Sequence, residues 1–128
     1  MFSEIKTTED IKNFLSKTNA LHDGYIIGVQ YTNNGIVRIG NFTSFHPEQT
    51  KLILQILVTS LGGVVAEIEF EMLSEWQIKD SQWEITDTTV MFNEHGMIIW
   101  SDDVYINMEE LKKRSYAIAR TMKWRIIE

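Results

Sequence analysis

The sequence predicts an α+β protein with a twisted antiparallel sheet of six or seven strands, flanked by N- and C-terminal helices. The stretch from Ala66 to Ile78 alternates apolar and acidic residues at period two, as a strand with one face on a core does. Other short apolar runs are separated by turn residues, for example Asn33-Asn34-Gly35. Capping residues near both ends of the chain predict the two helices. With 128 residues, 44% of them hydrophobic, we expect one domain with an ordinary core.

The composition excludes several kinds of site. The chain has no cysteine, which excludes a disulfide, a thiolate nucleophile and a Cys-ligated zinc. The first ten residues lack a basic segment followed by an apolar run, so we expect no signal peptide and a cytoplasmic protein. The longest apolar run, around Leu52–Val58, is far too short for a membrane span, so we expect no membrane partner.

Charge is unevenly distributed along the chain. Residues 1–108 contain six basic and fifteen acidic side chains, whereas residues 111–127 contain six basic side chains and no acid, for a net charge of −6 overall. The acidic body disfavours nucleic-acid binding. We expect the basic segment to dock on the acidic part of the same chain. The alternative is that the two patches lead to self-association, head to tail or as a symmetric homodimer.

The first helix is predicted from its cap and its apolar spacing. Thr7 or Thr8 is the expected N-cap, with Glu9 and Asp10 in the first turn, and Thr18-Asn19 ends the helix. Residues at i, i+3 and i+4 form its predicted buried stripe: Ile11, Phe14 and Leu15.

Two strands are predicted to follow the first helix and to pair with each other. Tyr25–Thr32 alternates in polarity, and one face would contain Tyr25, Ile27, Val29 and Tyr31. Asn33-Asn34-Gly35 tolerates positive φ and predicts a hairpin turn. Ile36–Asn41 would then pair back as the second strand, with Val37 and Ile39 on one side, before a loop from Ser44 to Glu48.

The segment Lys51–Leu61 has two interpretations. Polar residues at spacing four favour a helix, whereas the density of Ile, Leu and Val and the Gly62-Gly63 link favour a strand in a hairpin with the strand that begins near Ala66. Thirteen residues are long for one strand, so we expect a bend or bulge near Leu73–Ser74.

The remaining elements are a hairpin and a final helix. Trp83–Phe92 and Gly96–Trp100 form the predicted hairpin, after a polar turn at 79–82. Asn107 is the expected N-cap of the last helix, with Glu110 at the third position. The predicted core contacts of the hairpin are Ile85, Val90, Phe92, Ile98 and Trp100. The predicted buried stripe of the last helix is Leu111, Ser115, Ile118, Ala119 and Met122.

Two stretches resemble a broad group of small, mostly uncharacterised bacterial proteins. One is Leu21–Ile26, similar to a His-Asp pair before the first strand of those proteins; the other runs through Ile85–Phe92 and Gly96–Asp102. Between them, Ala66–Ile78 resembles the apolar–acidic strand of the group. The resemblance covers residues 20–103, implies an antiparallel sheet and favours the strand interpretation of Lys51–Leu61. Some members look like toxin-neutralising immunity proteins, which implies an interaction role.

His22 and Asp23 are the candidate catalytic pair. A histidine beside a carboxylate can act as a base or a metal ligand. Adjacent residues on an extended chain point to opposite sides, however, so the favoured interpretation is that both shape the turn before the first strand. The other histidines, His46 and His95, also fall in predicted loops. Their spacing matches no zinc motif, so we expect independent surface histidines and neither a metal nor a cofactor.

Four glutamates on one strand face are the candidate partner-binding residues: Glu67, Glu69, Glu71 and Glu75. Carboxylates on one strand face lie about 7 Å apart, too far for neighbours to share a calcium ion without further ligands. A basic protein partner is one expectation. The alternative is a solvated face, or one covered by the basic C-terminal segment.

Four aromatic residues are the candidate lining of a ligand cleft: Tyr25, Trp76, Trp83 and Trp100. At alternating strand positions tryptophans more often fill a core, which is the alternative. The sequence lacks a glycine-rich phosphate loop, a nucleophile elbow and paired catalytic carboxylates. The favoured function is therefore a cytoplasmic, non-enzymatic interaction protein, one form being immunity-like binding of a basic partner. The alternatives are a small-ligand binding domain with an aromatic-lined cleft and an enzyme that uses His22 and Asp23.

Overall fold

The computed structural model describes residues 1–79 and 84–127. These residues form an α+β fold with a seven-stranded antiparallel sheet, a separate two-stranded hairpin and two α-helices, so the predicted fold class is confirmed. The helices are α1 (Thr8–Lys17) and α2 (Met108–Leu111). The strands are β1 (Ser3–Glu4), β2 (Gly24–Asn33), β3 (Ile36–Ile39), β4 (Phe42–Phe45), β5 (Thr50–Val58), β6 (Val64–Gln77), β7 (Thr89–Phe92), β8 (Ile98–Ser101) and β9 (Tyr116–Ile127).

The strand order of the main sheet is β2-β5-β6-β9-β8-β7, and β1 pairs with β9 beyond the end of β8. A bridge between Gly24 and Ile85 joins the start of β2 to the segment that leads into β7. Since β2 and β7 are the two ends of the strand order, this bridge shows that the sheet curls until its ends approach each other. The curl encloses the core on the concave side.

The core is formed by alternate residues of the central strands. Leu52, Leu54 and Ile56 of β5 face Phe70 and Ile68 of β6 and are fully buried. The capped helix α1 lies over this face. Thr7 accepts a hydrogen bond from the Asp10 backbone, and the Asp10 side chain accepts one in return, as in a capping box. The predicted first helix and its buried stripe are therefore confirmed.

The prediction of a long last helix is wrong. Asn107 does cap a helix, since its side chain accepts a hydrogen bond from the Glu110 backbone 2.9 Å away, but α2 ends at Leu111. The chain then forms β9, which lies between β6 and β8 in the middle of the sheet. Ile118, Ala119 and Met122 are buried as predicted, but in a strand.

A change of phase in β9 produced the helical pattern. Ala117 and Ala119 face the core, and after the chain skips one position Met122 and Trp124 face it. The opposite strand has matching irregularities, with a positive φ of 55° at Met72 and a register shift between Leu73 and Glu75. The predicted bulge near Leu73–Ser74 is thus confirmed. Leu73, which strict alternation places on the acidic face, packs on the core because the phase of β6 changes at Met72, the residue with positive φ.

The predicted pairing of β2 with Ile36–Asn41 is also wrong. β2 pairs with β5, while β3 pairs with β4. This outcome confirms the strand interpretation of Lys51–Leu61. A register shift between Ile26 and Gly28 places Tyr25 on the opposite face from Val29 and Tyr31, so the four alternating residues of β2 do not share a face.

The hairpin of β7 and β8 is confirmed, with Ile85, Val90, Ile98 and Trp100 buried and Phe92 partly buried. The predicted start of this hairpin at Trp83 and most of the polar turn at 79–82 lie outside the described residues. In the part of the chain that the structure covers, no helix has the length and apolar character needed to cross a membrane.

The core and outer faces assigned to the paired strands β5 and β6 predict different effects of two substitutions. Phe70→Ala should lower the free energy of unfolding by about 3–5 kcal/mol, because it leaves a cavity beside Trp100, whose ring centroid lies 6.1 Å from that of Phe70. Gln55→Ala, on the opposite face of β5, should change it by less than about 0.5 kcal/mol because Gln55 is exposed. Urea denaturation measures both values, and equal losses would contradict the assignment.

Candidate interaction surface

The β3–β4 hairpin projects from the sheet and is exposed along its whole length; we call residues 36–45 the arm. It continues the β2–β5 ladder, because His46 N donates to Gly35 O over 2.8 Å and Asn34 N donates to Gln49 O over 3.3 Å. A Cβ atom on Gly35 would lie 2.1 Å from the His46 carbonyl oxygen, so this close approach requires glycine. The arm is therefore held in line with β2.

Apolar side chains lie on both faces of the arm. The register places Ile36 opposite Phe45 on one face, and Ile39 opposite Phe42 on the other face with Val37. Phe42 is 81% exposed and Ile39 is 74% exposed. A two-stranded hairpin alone is marginally stable in water, and a solvated strand pair usually has one polar face. This arm has the composition of an element that another surface covers.

The exposed apolar surface extends along β2. Ile27, Val29 and Tyr31 are each between 43% and 56% exposed on this edge strand. With roughly 200 Å² per aromatic side chain, Tyr31, Phe42 and Phe45 alone leave about 350 Å² in water. The five aliphatic side chains of β2 and the arm add to this, so apolar surface is exposed along β2 and on both faces of the arm, more than singly scattered hydrophobic residues would give.

The glutamate face of β6 is occupied by cations from its neighbours. Glu67 pairs with Arg125 of β9, with Nη2 3.2 Å from Oε2. Glu69 lies between Lys51, 3.5 Å from Oε1, and Lys123, 3.6 Å from Oε2. Both glutamates are less than 9% exposed. The expected docking of the basic C-terminal segment on the acidic residues thus occurs, but through pairing of strands.

Glu71 and Glu75 are more accessible. Glu71 lies 3.8 Å from Lys123, and Glu75 lies 4.0 Å from Lys112, at 40% and 42% side-chain exposure. Phe2 covers the cations of β9 from outside: its ring centroid is 4.9 Å from Lys123 Nζ and 4.4 Å from Arg125 Cζ. Of the four predicted partner-binding glutamates, these two are the ones that a partner can reach.

Removing Glu67 should destabilise the protein. Glu67→Ala leaves the half-buried Arg125 guanidinium without its carboxylate, so we expect a loss of about 1–3 kcal/mol in the free energy of unfolding. Glu71→Ala, which removes a 3.8 Å contact with Lys123 from a more accessible carboxylate, should cost less than about 0.5 kcal/mol. Thermal and urea unfolding in low salt measure both. Equal losses would show that the pair of Glu67 and Arg125 stabilises the protein no more than an accessible ion pair does.

His22 and Asp23 lie in a turn with left-handed backbone. Asn19, Ala20, Leu21 and Asp23 all have φ between 52° and 57°, a conformation that costs about 1–2 kcal/mol for an ordinary residue. Burial of Leu21 and hydroxyl bonds offset this cost: Ser60 Oγ donates to His22 O, and Thr59 Oγ1 donates to Asp23 O, both over 2.7 Å. The two hydroxyls therefore hold the turn.

The His22 ring joins this turn to the segment before β7. Its Nδ1–H donates to the Thr86 carbonyl oxygen over 2.6 Å, and Nε2 lies 3.6 Å from Asp23 Oδ1. Asp87 Oδ1 is 3.5 Å from Nδ1, and Glu84 accepts a hydrogen bond from Tyr25 Oη nearby. The bond to Thr86 raises the pKa of His22 above its usual 6.5, and Asp23 and the other acids add to the rise. Through these contacts His22 links its turn to the segment before β7. This supports the interpretation that His22 and Asp23 shape the turn.

The raised pKa of His22 predicts a pH-dependent stability. Its folded-state pKa lies above the unfolded value near 6.5, so its contribution is complete below pH 6.5 and is lost as the pH rises through the folded pKa. NMR titration of the imidazole should give a value above 6.5. Asp23→Asn should lower that value, because it removes the charge while asparagine tolerates the left-handed backbone. An unchanged value would contradict the role of Asp23.

The aromatic residues predicted to line one cleft lie in different places. Trp100 is fully buried in the core, and the Tyr25 hydroxyl donates to Glu84 on the other face of β2. Trp83 lies outside the described residues. Of the three that the structure describes, Trp76 alone lines an open groove, and its ring stacks on Tyr31 with the centroids 5.3 Å apart. We call this the Trp76 groove; it has a volume of about 490 Å³ and its main apolar lining is Ile26, Ile27, Val29, Trp76 and Ile78.

The three histidines are separated in the structure. His46 pairs with Glu48 and His95 with Glu94, each at its own loop. Among residues 1–79 and 84–127, no group of three or more His, Asp and Glu side chains is placed to hold a metal ion. Sequence reasoning missed the arm, which it treated as half of a sheet hairpin. A usable signal was that residues 24–46 contain a single Lys, Arg, Asp or Glu, namely Arg38.

Comparison with known proteins adds no relative: no family model matches the chain, and neither a curated protein nor a solved structure does.

Proposed function

We propose that this protein is a non-enzymatic interaction protein and that the arm is its main contact element. The observation that carries the proposal is the exposure of apolar side chains on both faces of a hairpin that continues the line of β2. Interface cores are depleted in charged residues and enriched in aromatic ones. The arm fits this description, since Phe42 and Phe45 accompany three aliphatic residues and Arg38 is its only charge.

The described residues near the candidate catalytic pair support the same class of function. His22 is engaged with Thr86, and the nearby hydroxyls of Thr59 and Ser60 donate to backbone carbonyls. A nucleophile needs a base within hydrogen-bond reach, and these hydroxyls have other partners. The turn therefore has a structural explanation without a reaction.

A more specific form of the proposal is that the partner is a basic protein. The net charge of −6 would steer a basic protein toward this one and make the association sensitive to salt. Glu71 and Glu75 are accessible to it, whereas Glu67 and Glu69 are already paired. Neutralisation of a basic toxin, as expected from the resemblance to immunity-like proteins, is one such role.

The proposal predicts that substitutions on the arm abolish partner capture. Ile39→Ser with Phe42→Ser removes the two most exposed apolar side chains of the arm while the sheet remains intact, because neither packs on the core. The tagged double variant should lose the proteins that the wild type retains from a lysate of the source cell. Quantitative mass spectrometry at low and high salt measures the retained proteins, and a basic partner should fall off as salt rises.

The matched control carries the same kind of change outside the arm. Val104→Ser with Ile106→Ser replaces side chains that are 59% and 85% exposed near α2, and it should retain the wild-type partners. If the arm variant and the control retain the same proteins as the wild type, the arm is not the contact element. Circular dichroism confirms that each variant is folded.

The Trp76 groove favours a second candidate function, the binding of a small apolar ligand. Its lining by Trp76, Ile26 and Val29 and its volume of about 490 Å³ fall within the range of ligand sites. The groove is open, however, and Tyr31 already stacks on the indole ring. A protein side chain from a partner suits such a shallow surface better than an isolated ligand does.

A further inference from the structure

We propose that a pocket beside β9 binds a small organic anion, with the carboxylate or phosphate group of the ligand on the guanidinium of Arg120. The site goes beyond the proposed function, because none of the arm residues, all of which the structure describes, lines this pocket. Three features of the structure lead to it: a break in the pairing of β9, the cavity at that break, and the charges around the cavity.

One edge of β9 lacks a neighbouring strand at Arg120 and Thr121. The pairing with β8 stops at Ala119, and the contact with the segment of β1 resumes at the Met122 carbonyl, which accepts a hydrogen bond from Ile5 N over 2.9 Å. Within the described residues, no strand pairs with this edge at the two positions between. The sheet therefore has a slot here, with β1 on one side and the start of β8 on the other.

A cavity opens at this slot; we call it the β9 pocket. Its volume of about 330 Å³ lies at the lower end of the range of small-ligand sites. Gly96 lines it at a turn, where an added Cβ atom would have no heavy atom within 4 Å, so the space there is open. Four apolar residues also line the pocket, namely the partly buried Phe92 and the buried Ile5, Ile98 and Met122. Phe92 thus offers an apolar wall to the non-polar part of a ligand.

The charged lining of the β9 pocket has an excess of cations. Five charged side chains line it: Arg120, Lys6, Lys123, Glu4 and Glu71. Lys6 holds Glu4 at 2.8 Å and Lys123 holds Glu71 at 3.8 Å, so each acid already has a cation. In the part of the chain that the structure describes, Arg120 has no acid within 4.0 Å. An anionic ligand would supply the missing negative charge.

Strand pairing does not explain Arg120, although it explains other cations of the basic segment. Between residues 111 and 127, four cations have an acid within 4.0 Å: Lys112, Arg114, Lys123 and Arg125. Among the described residues Lys113 and Arg120 have none, and the described lining around Lys113 contains as many acids as cations. Only around Arg120 does a free guanidinium meet an excess of positive charge and an apolar wall. A guanidinium binds a carboxylate or a phosphate through two parallel hydrogen bonds.

Arg120 also borders a second hollow, of about 290 Å³, on the side of β6. Glu48 lines that hollow and Arg120 is its cation, so the two charges balance. An anion entering there would meet the carboxylate of Glu48 and gain little. The β9 pocket is therefore the better site, and the two hollows have different neighbours by which an experiment can distinguish them.

Benzoate and its neutral isostere benzamide test the site in NMR titrations of the ¹⁵N-labelled protein. Benzoate should shift the amide signals of Gly96 and Thr121 with one dissociation constant. Benzamide should bind at least roughly tenfold more weakly, because it lacks the charge that Arg120 recognises. Equal binding of the two probes, or no shift with benzoate up to about 20 mM, weak even for a fragment, would overturn the inference. Phenyl phosphate that binds more tightly than benzoate would assign a phosphate ligand, and the reverse order a carboxylate.

A pair of matched variants tests the role of Arg120. Arg120→Gln should raise the dissociation constant of benzoate at least roughly tenfold. It should leave the fold intact, which circular dichroism checks, because Arg120 is exposed. Lys113→Gln removes an exposed cation of the same segment that does not line the β9 pocket, and it should leave the constant unchanged. A similar loss in both variants would reduce the effect to general charge and overturn the site.

A charge reversal makes the test independent of lost binding. Arg120→Glu should bind benzamidinium, the cation of the same shape, with shifts at Gly96 and Thr121, whereas Lys113→Glu should not. Binding of benzamidinium by neither variant, or equally by both, would contradict a specific role of Arg120.

The location of the shifts separates this site from other surfaces. Shifts at Ser74 and Glu48 without shifts at Gly96 would place the probe in the second hollow and overturn the β9 pocket. The arm variant Ile39→Ser with Phe42→Ser should bind benzoate as the wild type does. Loss of binding in that variant would show that the aromatic ring only adheres to the exposed apolar arm, which would overturn the inference and leave the proposed function in place.

Discussion

The pairing of β6 with β9 is the interaction on which the rest of the sheet depends. β9 lies in the middle of the strand order, and β6 carries β5 and β2 on its other side. On the core face this pairing joins Phe70 to Met122 and Ile68 to Trp124. On the opposite face it joins Glu67 to Arg125 and Glu69 to Lys123. Both faces of one strand pair therefore specify the same register, since a slip of one residue would bury glutamates in the core.

The charge asymmetry of the sequence follows from this pairing. A strand with an acidic outer face requires a basic neighbour when its glutamates are nearly buried, because an unpaired buried carboxylate is expensive. Lys123 and Arg125 supply that neighbour, and Lys51 assists from β5. The acidic residues that remain open to solvent include Asp87 in a loop and Glu75 near the end of β6. Electrostatics thus stabilises the register of the sheet, whereas the proposed contact surface is mainly apolar.

The sequence predicted the fold class, α1, the β7–β8 hairpin and the bulge in β6, because local patterns determine them. The predictions were wrong where the hydrophobic pattern of one strand depends on its pairing with another strand. In β9, the skipped position between Ala119 and Met122 turns an alternating pattern into the spacing of a helix, and the skip is matched by the positive φ at Met72 in the paired strand β6. The exposure of the arm was missed for a different reason. Periodicity shows that Ile39 and Phe42 are apolar, but whether a surface covers them is decided by distant parts of the chain.

The central position of β9 has a consequence for the order in which the protein is made. Partners in β6 and β9 are separated by 39 residues between Gln77 and Tyr116 and by 62 residues between Val65 and Ile127. A ribosome completes β6 long before β9 emerges, so during translation the longest strand of the sheet has an unpaired edge with alternating apolar residues. Such an edge invites pairing with other nascent chains. The row of glutamates along β6 limits that hazard, since like charges repel between identical chains until Lys123 and Arg125 arrive.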